Sequence, residues 1–430
     1  MAITPSEILS RCRAEESFLL SVRRHLHTHP ELSGQETQTV QYIAETLKSM
    51  GIQPETIPEG GILAYIHGEK PPQDSPAPAL LMRADCDALP VEEQPHAGSA
   101  RTCTSQNPGV CHACGHDVHS AVLLTAAKVL QQSRKDLYGD VVLLIERSEE
   151  IPFNKCLLRL MEALERRGQR IDGAWGMHCA PSPAGTIQLN SGAVMAGTLF
   201  FRFTLTGKGG HGSRPDLSVS PIDCFTAIHT ALQRIPSRYS PFLPVTLSVT
   251  QVQAGNTDNV IPQSLTFGGT ARFFDSDRAG FPIQGEINRT VREIAAVYGC
   301  QAEGTASAPF LPLQNHSACV GLAREVFRPI FGERVIEDLP SMVSETFATL
   351  AARYPAVFIH YGVCNPEKGI TAGLHHPEFD ADESVLADAA GAAAIYAHSF
   401  LEKTAAGTGW GFTPYRDSAE ELFALQEITD

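Results

Sequence analysis

The chain has no basic surplus: 33 Lys and Arg face 48 Asp and Glu, a formal net charge of −15. Binding a phosphate backbone needs clustered Lys and Arg, so a nucleic-acid role is disfavoured from the outset. No stretch approaches the ~18 consecutive apolar residues of a membrane-spanning helix. The opening segment, MAITPSEILSRCRAEESF, carries Arg and Glu where a secretory signal would hold its apolar core. Eleven cysteines are an odd number, only moderately dense in 430 residues. That argues against a disulfide-stapled scaffold and predicts free thiols, mostly buried, with room for a metal ligand among them. Internal repeats and low-complexity tracts are absent as well. Together these absences predict a soluble cytoplasmic protein with neither a membrane nor a nucleic-acid partner.

What is present is enough chain for two large units, with 43% hydrophobic residues to build their cores. Thr4-Pro5-Ser6-Glu7 has the grammar of a helix start, with a hydroxyl cap, Pro at the first position and Glu three residues after the cap. It predicts one long N-terminal helix carrying Arg23, Arg24 and His25. Short apolar runs come next, each ended by polar residues: PALLMRA before Asp85-Cys86-Asp87, DVVLLIERS before Glu149-Glu150, GAWGM before His178, and AVFIHYG before Val363-Cys364-Asn365. Helix-like stretches such as SAVLLTAAKVLQQ and NKCLLRLMEALERR lie between them. Alternation of this kind predicts an α/β domain with a mostly parallel sheet, whose strand ends are where ligands bind.

From about Gly197 to Ser307 the pattern changes to alternating strands with two amphipathic helices, near Pro221 to Ile235 and Phe281 to Tyr298. The order is β-α-β-β-α-β, a ferredoxin-like α+β sandwich. The expected organisation is a catalytic domain over residues 1–193 and 311–430, interrupted by an inserted lid or dimerisation domain over 194–310. The last residues, Gly-rich and then acidic, read as a surface tail with a terminal helix.

The densest chemical cluster is CHACGHDVH, residues 111–119. Cys114 and His116 are soft and borderline donors separated by one Gly that lets the backbone fold tightly, a spacing able to grip a transition metal. The same string also fits a structural zinc knot built on Cys103, Cys111 and Cys114, or ordinary loop polarity. Glu149-Glu150 ends a very apolar strand, where two adjacent carboxylates can divide their work: one coordinates a metal and the other holds the proton of a metal-bound water. The alternative is a solvated surface loop. His178 and His375 add imidazoles at comparable positions.

Nine segments occur in an order that resembles the amidohydrolase branch of the aminoacylase and carboxypeptidase-G-like metallopeptidases: HLHTHPELS, RADCDALP, CHACGHDVHSA, the EE pair, GMH, GKGGHGSRP, NVIP, GTARFF and LHHPEF. That branch includes hippurate hydrolases, indole-acetyl-amino-acid hydrolases and N-acetyl-diaminopimelate deacetylases. The resemblance runs from about Arg23 to Phe379. It implies a dinuclear site with Cys114, His116, Glu150, His178 and His375 at the ligand positions and Glu149 at the general-base position. Five ligands serve two metals only if one group, Cys114 or the water itself, is shared. Two divalent ions against one thiolate and one carboxylate leave a surplus of positive charge to hold a hydroxide and polarise a carbonyl. The donor set suits zinc and tolerates manganese, cobalt or nickel.

The resemblance further implies that His211 stabilises the oxyanion, often from a dimer partner, and that Asn259 and Arg272 contact the substrate and its carboxylate. Asp87 takes the place of an orienting partner for a ligand His, while Asp85 stands where relatives outside this branch place a His ligand. For both, capping at the strand exit is the competing reading. The glycines of GKGGHG match a dinucleotide-binding spacing, but Pro215 blocks the helix such a site requires.

The chain departs from the family pattern at Glu146-Arg147-Ser148, at Ile151-Pro152-Phe153-Asn154, at Thr346 within Ser344-Glu345-Thr346-Phe347, and at Asp216. The expected function is metal-dependent hydrolysis of the amide of an N-acyl amino acid or a similar small carboxylated amide, by a homodimer or higher homo-oligomer. Its rivals are a non-catalytic or substrate-shifted homologue that uses the cleft to bind a ligand, and a structural-zinc or thiol-redox protein built on Cys111-x-x-Cys114.

Overall fold

The computed structural model describes residues 3–71, 77–95, 101–151 and 154–425; the sequence departures at Pro152 and Phe153 and the last five residues of the tail lie outside them. The chain divides into two compact units: Met1–Gly192 with Gln314–Leu339 and Thr349–Glu420, and Ala193–Leu313 with Pro340–Ala348 and Glu421–Asp430.

Thr4 caps α1 (Pro5–Ala14) in a full capping box with Glu7. The single long helix expected here is instead two, because the chain turns out of helical geometry at Glu15 before α2 (Glu16–Thr28). This lets both helices lay apolar faces on the same core, Ile8, Leu9 and Cys12 from one and Leu19, Val22 and Leu26 from the other. Next along the chain are α3 (Thr37–Ser49), β1 (Pro54–Ile57), β2 (Gly61–His67), β3 (Ala79–Asp85), α4 (His116–Gln132), β4 (Asp140–Glu146), α5 (Cys156–Arg166), β5 (Gly173–Pro183) and β6 (Ile187–Gln188).

The second unit holds β7 (Gly197–Thr206), α6 (Pro221–Gln233), β8 (Val245–Ala254), β9 (Ser264–Phe273), α7 (Phe281–Val297) and β10 (Gln301–Ala306). Its four strands pair antiparallel in the order β8-β9-β7-β10, with the two helices packed on Phe201, Phe203, Phe267 and Phe273. This is the β-α-β-β-α-β sandwich.

The first unit resumes with α8 (Ser317–Phe331), β11 (Val335–Ile336), β12 (Ala356–Cys364) and α9 (Leu386–Ala405). Its eight-stranded sheet runs β1-β2-β4-β3-β5-β12-β6-β11. The four central strands, β4-β3-β5-β12, are parallel, and antiparallel strands flank them. Strands covered on both faces read as mostly apolar runs, and β3 and β4 are almost entirely buried, with their buried charges Arg83, Asp85 and Glu146 confined to the carboxyl ends. In chain order the central strands stand 2-1-3-4, so the order reverses between β3 and β5. Open α/β sheets bind ligands at such a switch, outside the carboxyl ends of the strands. The apolar α9 belongs to a segment that is long and apolar enough to cross a membrane by composition; here its side chains are mostly buried in the core of this unit.

Candidate metal centre

Asp85 closes β3, so the switch point gathers the residues just beyond β3 and β4 together with those in the middle of β5. Three fully buried charges lock these strands first. Arg83 donates to Glu146 on β4 (2.8 Å) and to Asp85 (2.8 Å). Asp85 in turn accepts from His119 Nδ1 on α4 (2.7 Å), and His119 Nε2 accepts the Cys179 amide of β5 (2.8 Å). Both nitrogens of His119 are thereby engaged, so the cluster Asp85-His116-His119, close enough to suggest an ion, has lost one of its three donors. Burial opposes charge on Asp85, yet His116, Arg83 and His119 outweigh it and hold the carboxyl well below its usual range.

Cys114 and His116 meet because Gly115, at φ 88°, turns the chain into α4. A Cβ there would sit 3.0 Å from the Cys179 sulfur, so both conformation and space call for Gly. His116 is then the first residue of α4. Its Nδ1 donates to Asp87 (3.0 Å), which leaves Nε2 buried without a hydrogen-bond partner and 3.8 Å from a Glu150 oxygen. Asp87 also accepts the Glu150 amide (3.0 Å) and the Ser33 hydroxyl (2.7 Å), fixing one donor and the backbone of the next.

His178 lies in the middle of β5, not at a strand end as the run GAWGM suggested. The strand continues to Pro183 because β12 pairs with it past that point. The His178 Nδ1 donates to the Cys179 carbonyl (2.7 Å), and its Nε2 lies 3.4 Å from Cys114 Sγ. His375, at φ 61°, is anchored by its amide to the Ala113 carbonyl (2.7 Å). Its Nε2 is 3.3 Å from the same sulfur and 3.1 Å from Glu150.

The donors thus fall into two triads, Cys114-His116-His178 and Cys114-Glu150-His375, in each of which the ligand atoms lie within 4.8 Å of one another. Cys114 belongs to both. Glu149 joins Glu150 and His116 in a third group at the same spacing. Burial pushes the Cys114 thiol well above its usual range, so a thiolate there needs a cation beside it. Burial opposes the charged form of His116 too, but Asp85 and Cys114 overcome it and raise its pKa well above normal. Hydrogen bonding to Glu150 raises that of His375. Burial, with His119 beside it, holds that of His178 well below normal, so the cluster favours positive charge at His116 and His375 but not at His178.

His211, Asn259 and Arg272 belong to the second unit. His211 pairs with Val260 across a two-stranded ribbon, and the Gly212 amide donates to the Asn259 carbonyl (2.8 Å), which sets His211 and Asn259 side by side on an exposed surface. Ser213 engages His211 Nδ1 at 2.9 Å. Arg272, on β9, donates to Ser344 (3.1 Å), and no carboxylate pairs with it among the described residues. Asp216 is taken by Arg214, and Glu345 caps the turn at Phe347.

All eleven cysteines are free, and among the described residues Cys111 and Cys103 enter no metal-ligand cluster, which removes the observation a zinc knot on Cys111-x-x-Cys114 would need. The residues that sequence reasoning left without a role are Arg83, His119 and Glu36. Only His119 carried a signal: it lies three residues after His116 and so shares its helix face.

Residues 81–401 match the model of Peptidase family M20/M25/M40. The chain belongs to this family. It is similar to the N-acetyl-L-cysteine deacetylase of Bacillus subtilis, at 34% identity over 86% of this chain and 85% of that one. It is also similar to the N-acyl-L-amino acid amidohydrolase of Geobacillus stearothermophilus, at 35% identity over 73% and 82%. Among solved structures, the YXEP protein of Bacillus subtilis, described as a dinuclear metal-binding peptidase of the M20 family, superposes with a TM-score of 0.75 at 31% identity, covering 91% of this chain and 99% of that one.

Proposed function

We propose that this M20-family hydrolase cleaves the amide bond of an N-acyl amino acid, or a similar small carboxylated amide, at a dinuclear centre on the switch point. The observation that carries the reading is the pair of triads sharing Cys114 around the orphaned His116 Nε2. That donor set fits two divalent cations, zinc first and manganese, cobalt or nickel as alternatives; when bound, they supply Lewis acidity and bring the pKa of water toward ~7. Cys114, His116, Glu150, His178 and His375 would hold them, Cys114 being the donor common to both triads.

Glu149, next to the ligand Glu150 in sequence, receives the proton of the attacking water on its carboxylate and returns it to the nitrogen of the leaving amine. His211 donates to the developing oxyanion, and Arg272, with no acidic partner among the described residues, offers its fork to the substrate carboxylate while Asn259 contacts the substrate. The edge strand β8 carries exposed Val252 and a backbone edge that no strand covers among the described residues, the kind of surface on which a second copy adds its own strand; a homodimer or higher homo-oligomer through the inserted unit is part of the same proposal, as is a cytoplasmic location for a chain with eleven free thiols. Hydrolytic catalysis, rather than ligand binding alone, is what the family relation supports.

The test joins elemental analysis of protein purified without added metal to a panel of N-acyl amino acids. Two equivalents of a divalent metal and turnover on the panel are expected. A metal-loaded preparation silent across the panel contradicts the reading.

A further inference from the structure

Strand β4 ends at Glu146, not at the Glu149-Glu150 pair, which lies in the turn beyond it; there the carboxylate oxygens of both glutamates come within 4.8 Å of a His116 nitrogen. The residue before them supplies the reason. Ser148 sits at φ 58°, in the left-handed region that an L side chain adopts at a cost and keeps only when its surroundings over-determine it.

Those surroundings are specific. Glu36 is wholly buried at the N-cap position of α3, yet its side chain does not cap that helix; Glu31 takes the Thr39 amide instead (2.8 Å). Glu36 is turned to the strand exit. One of its oxygens accepts from the Ser148 amide (2.7 Å) and hydroxyl (2.9 Å), and the other accepts from Arg147 Nε (3.0 Å) and Nη2 (2.9 Å). Asn154 Nδ2 donates to the Ser148 carbonyl (2.7 Å), so every polar group of Ser148 is engaged. Two residues on, the Glu150 amide is held by Asp87. The turn is therefore pinned at both ends, and the departures Arg147 and Ser148 are its fastening. A buried carboxylate without a counter-charge would be costly, and Arg147 supplies one.

We propose that Glu36 is a positioning residue that holds Ser148 in its left-handed conformation and so directs Glu149 and Glu150 to the same side of the chain, toward the metal centre. The inference rests on the reading of Glu149 and Glu150 given above. It differs from simple satisfaction of buried polar groups in one respect: glycine at 148, which adopts positive φ freely, should lessen the need for Glu36.

The experiment compares wild type, Glu36→Ala, and Glu36→Ala combined with Ser148→Gly, by cobalt(II) titration and by hydrogen exchange of the Glu150 amide. Cobalt is expected to fall from two equivalents to one in Glu36→Ala, with Glu150 exchange at least tenfold faster, and the glycine variant is expected to recover the second equivalent and slow the exchange. Retention of both equivalents and of protection in Glu36→Ala overturns the proposal. So does a loss that glycine does not repair, because a merely structural carboxylate would behave that way. Should Glu36→Ala fail to fold, Glu36→Gln replaces it, read with the same two measurements. Wild type that takes up no cobalt contradicts the dinuclear reading instead, and the exchange data then decide the role of Glu36 alone.

Discussion

The two units present their chemistry in opposite ways. In the first, the imidazole donors are fixed by buried neighbours: Asp87 holds His116 together with the Glu150 amide, the Cys179 carbonyl holds His178, and the Ala113 carbonyl anchors His375. In the second, His211 and Asn259 stand exposed on a two-stranded ribbon, and Arg272 has one hydroxyl partner. Gripping a cation demands donors pre-set to within fractions of an ångström, and that rigidity is supplied by buried charge networks. Groups that meet a substrate can instead be ordered by it. The contrast predicts that changes to the metal donors and their supports in the first unit alter metal content, while changes in the second alter turnover at constant metal content.

Cys114→Ser breaks that contrast most severely. Because its sulfur belongs to both triads, both metal equivalents and all activity should be lost by elemental analysis and assay, whereas Cys111→Ser should keep them. Asp87→Ala comes next. It frees His116 and the Glu150 amide together, and loss of such a partner weakens metal affinity by about 10–100-fold, read by competition with a chelator. Arg272→Met should leave metal content unchanged and raise KM about tenfold or more, the loss expected for a charge-assisted carboxylate contact.

The smallest effect sharpens the comparison from the side of stability. Burial lowers His360, on β12, to about 4 from its usual 6.5, so the folded unit resists a proton that the unfolded chain accepts. Its contribution to stability is complete above pH 6.5 and is lost as pH falls toward 4. Melting temperature measured over that window should fall on acidification, and His360→Gln should flatten the fall.

Much of the fold was legible because it rests on local pattern. Doubly buried strand segments such as Val141–Ile145 read as apolar runs, and the Thr4-Glu7 cap is written in consecutive residues. The break at Glu15 was not legible, since the helix pattern continues across it and only packing of both faces on one core requires the turn. His178 looked like a strand terminus because imidazole ends an apolar run; pairing with β12 carries the strand five residues further. The clustering of the donors is foreshadowed only in part: Glu150 follows β4 and His178 lies within β5, whereas Cys114 and His116 open α4 and His375 lies in a loop well past β12. The supports are not foreshadowed. Arg147 and Ser148 looked like departures, and their partner Glu36 lies 111 and 112 residues away along the chain, a separation no local pattern spans.

The central claim is amide hydrolysis with Glu149 moving the proton. The most direct measurement is turnover of Glu149→Gln with its metal content assayed in the same sample. Retention of both metal equivalents with kcat reduced about 10²–10⁴-fold, the range for general acid-base catalysis, is the predicted result; full turnover with metal bound would contradict it.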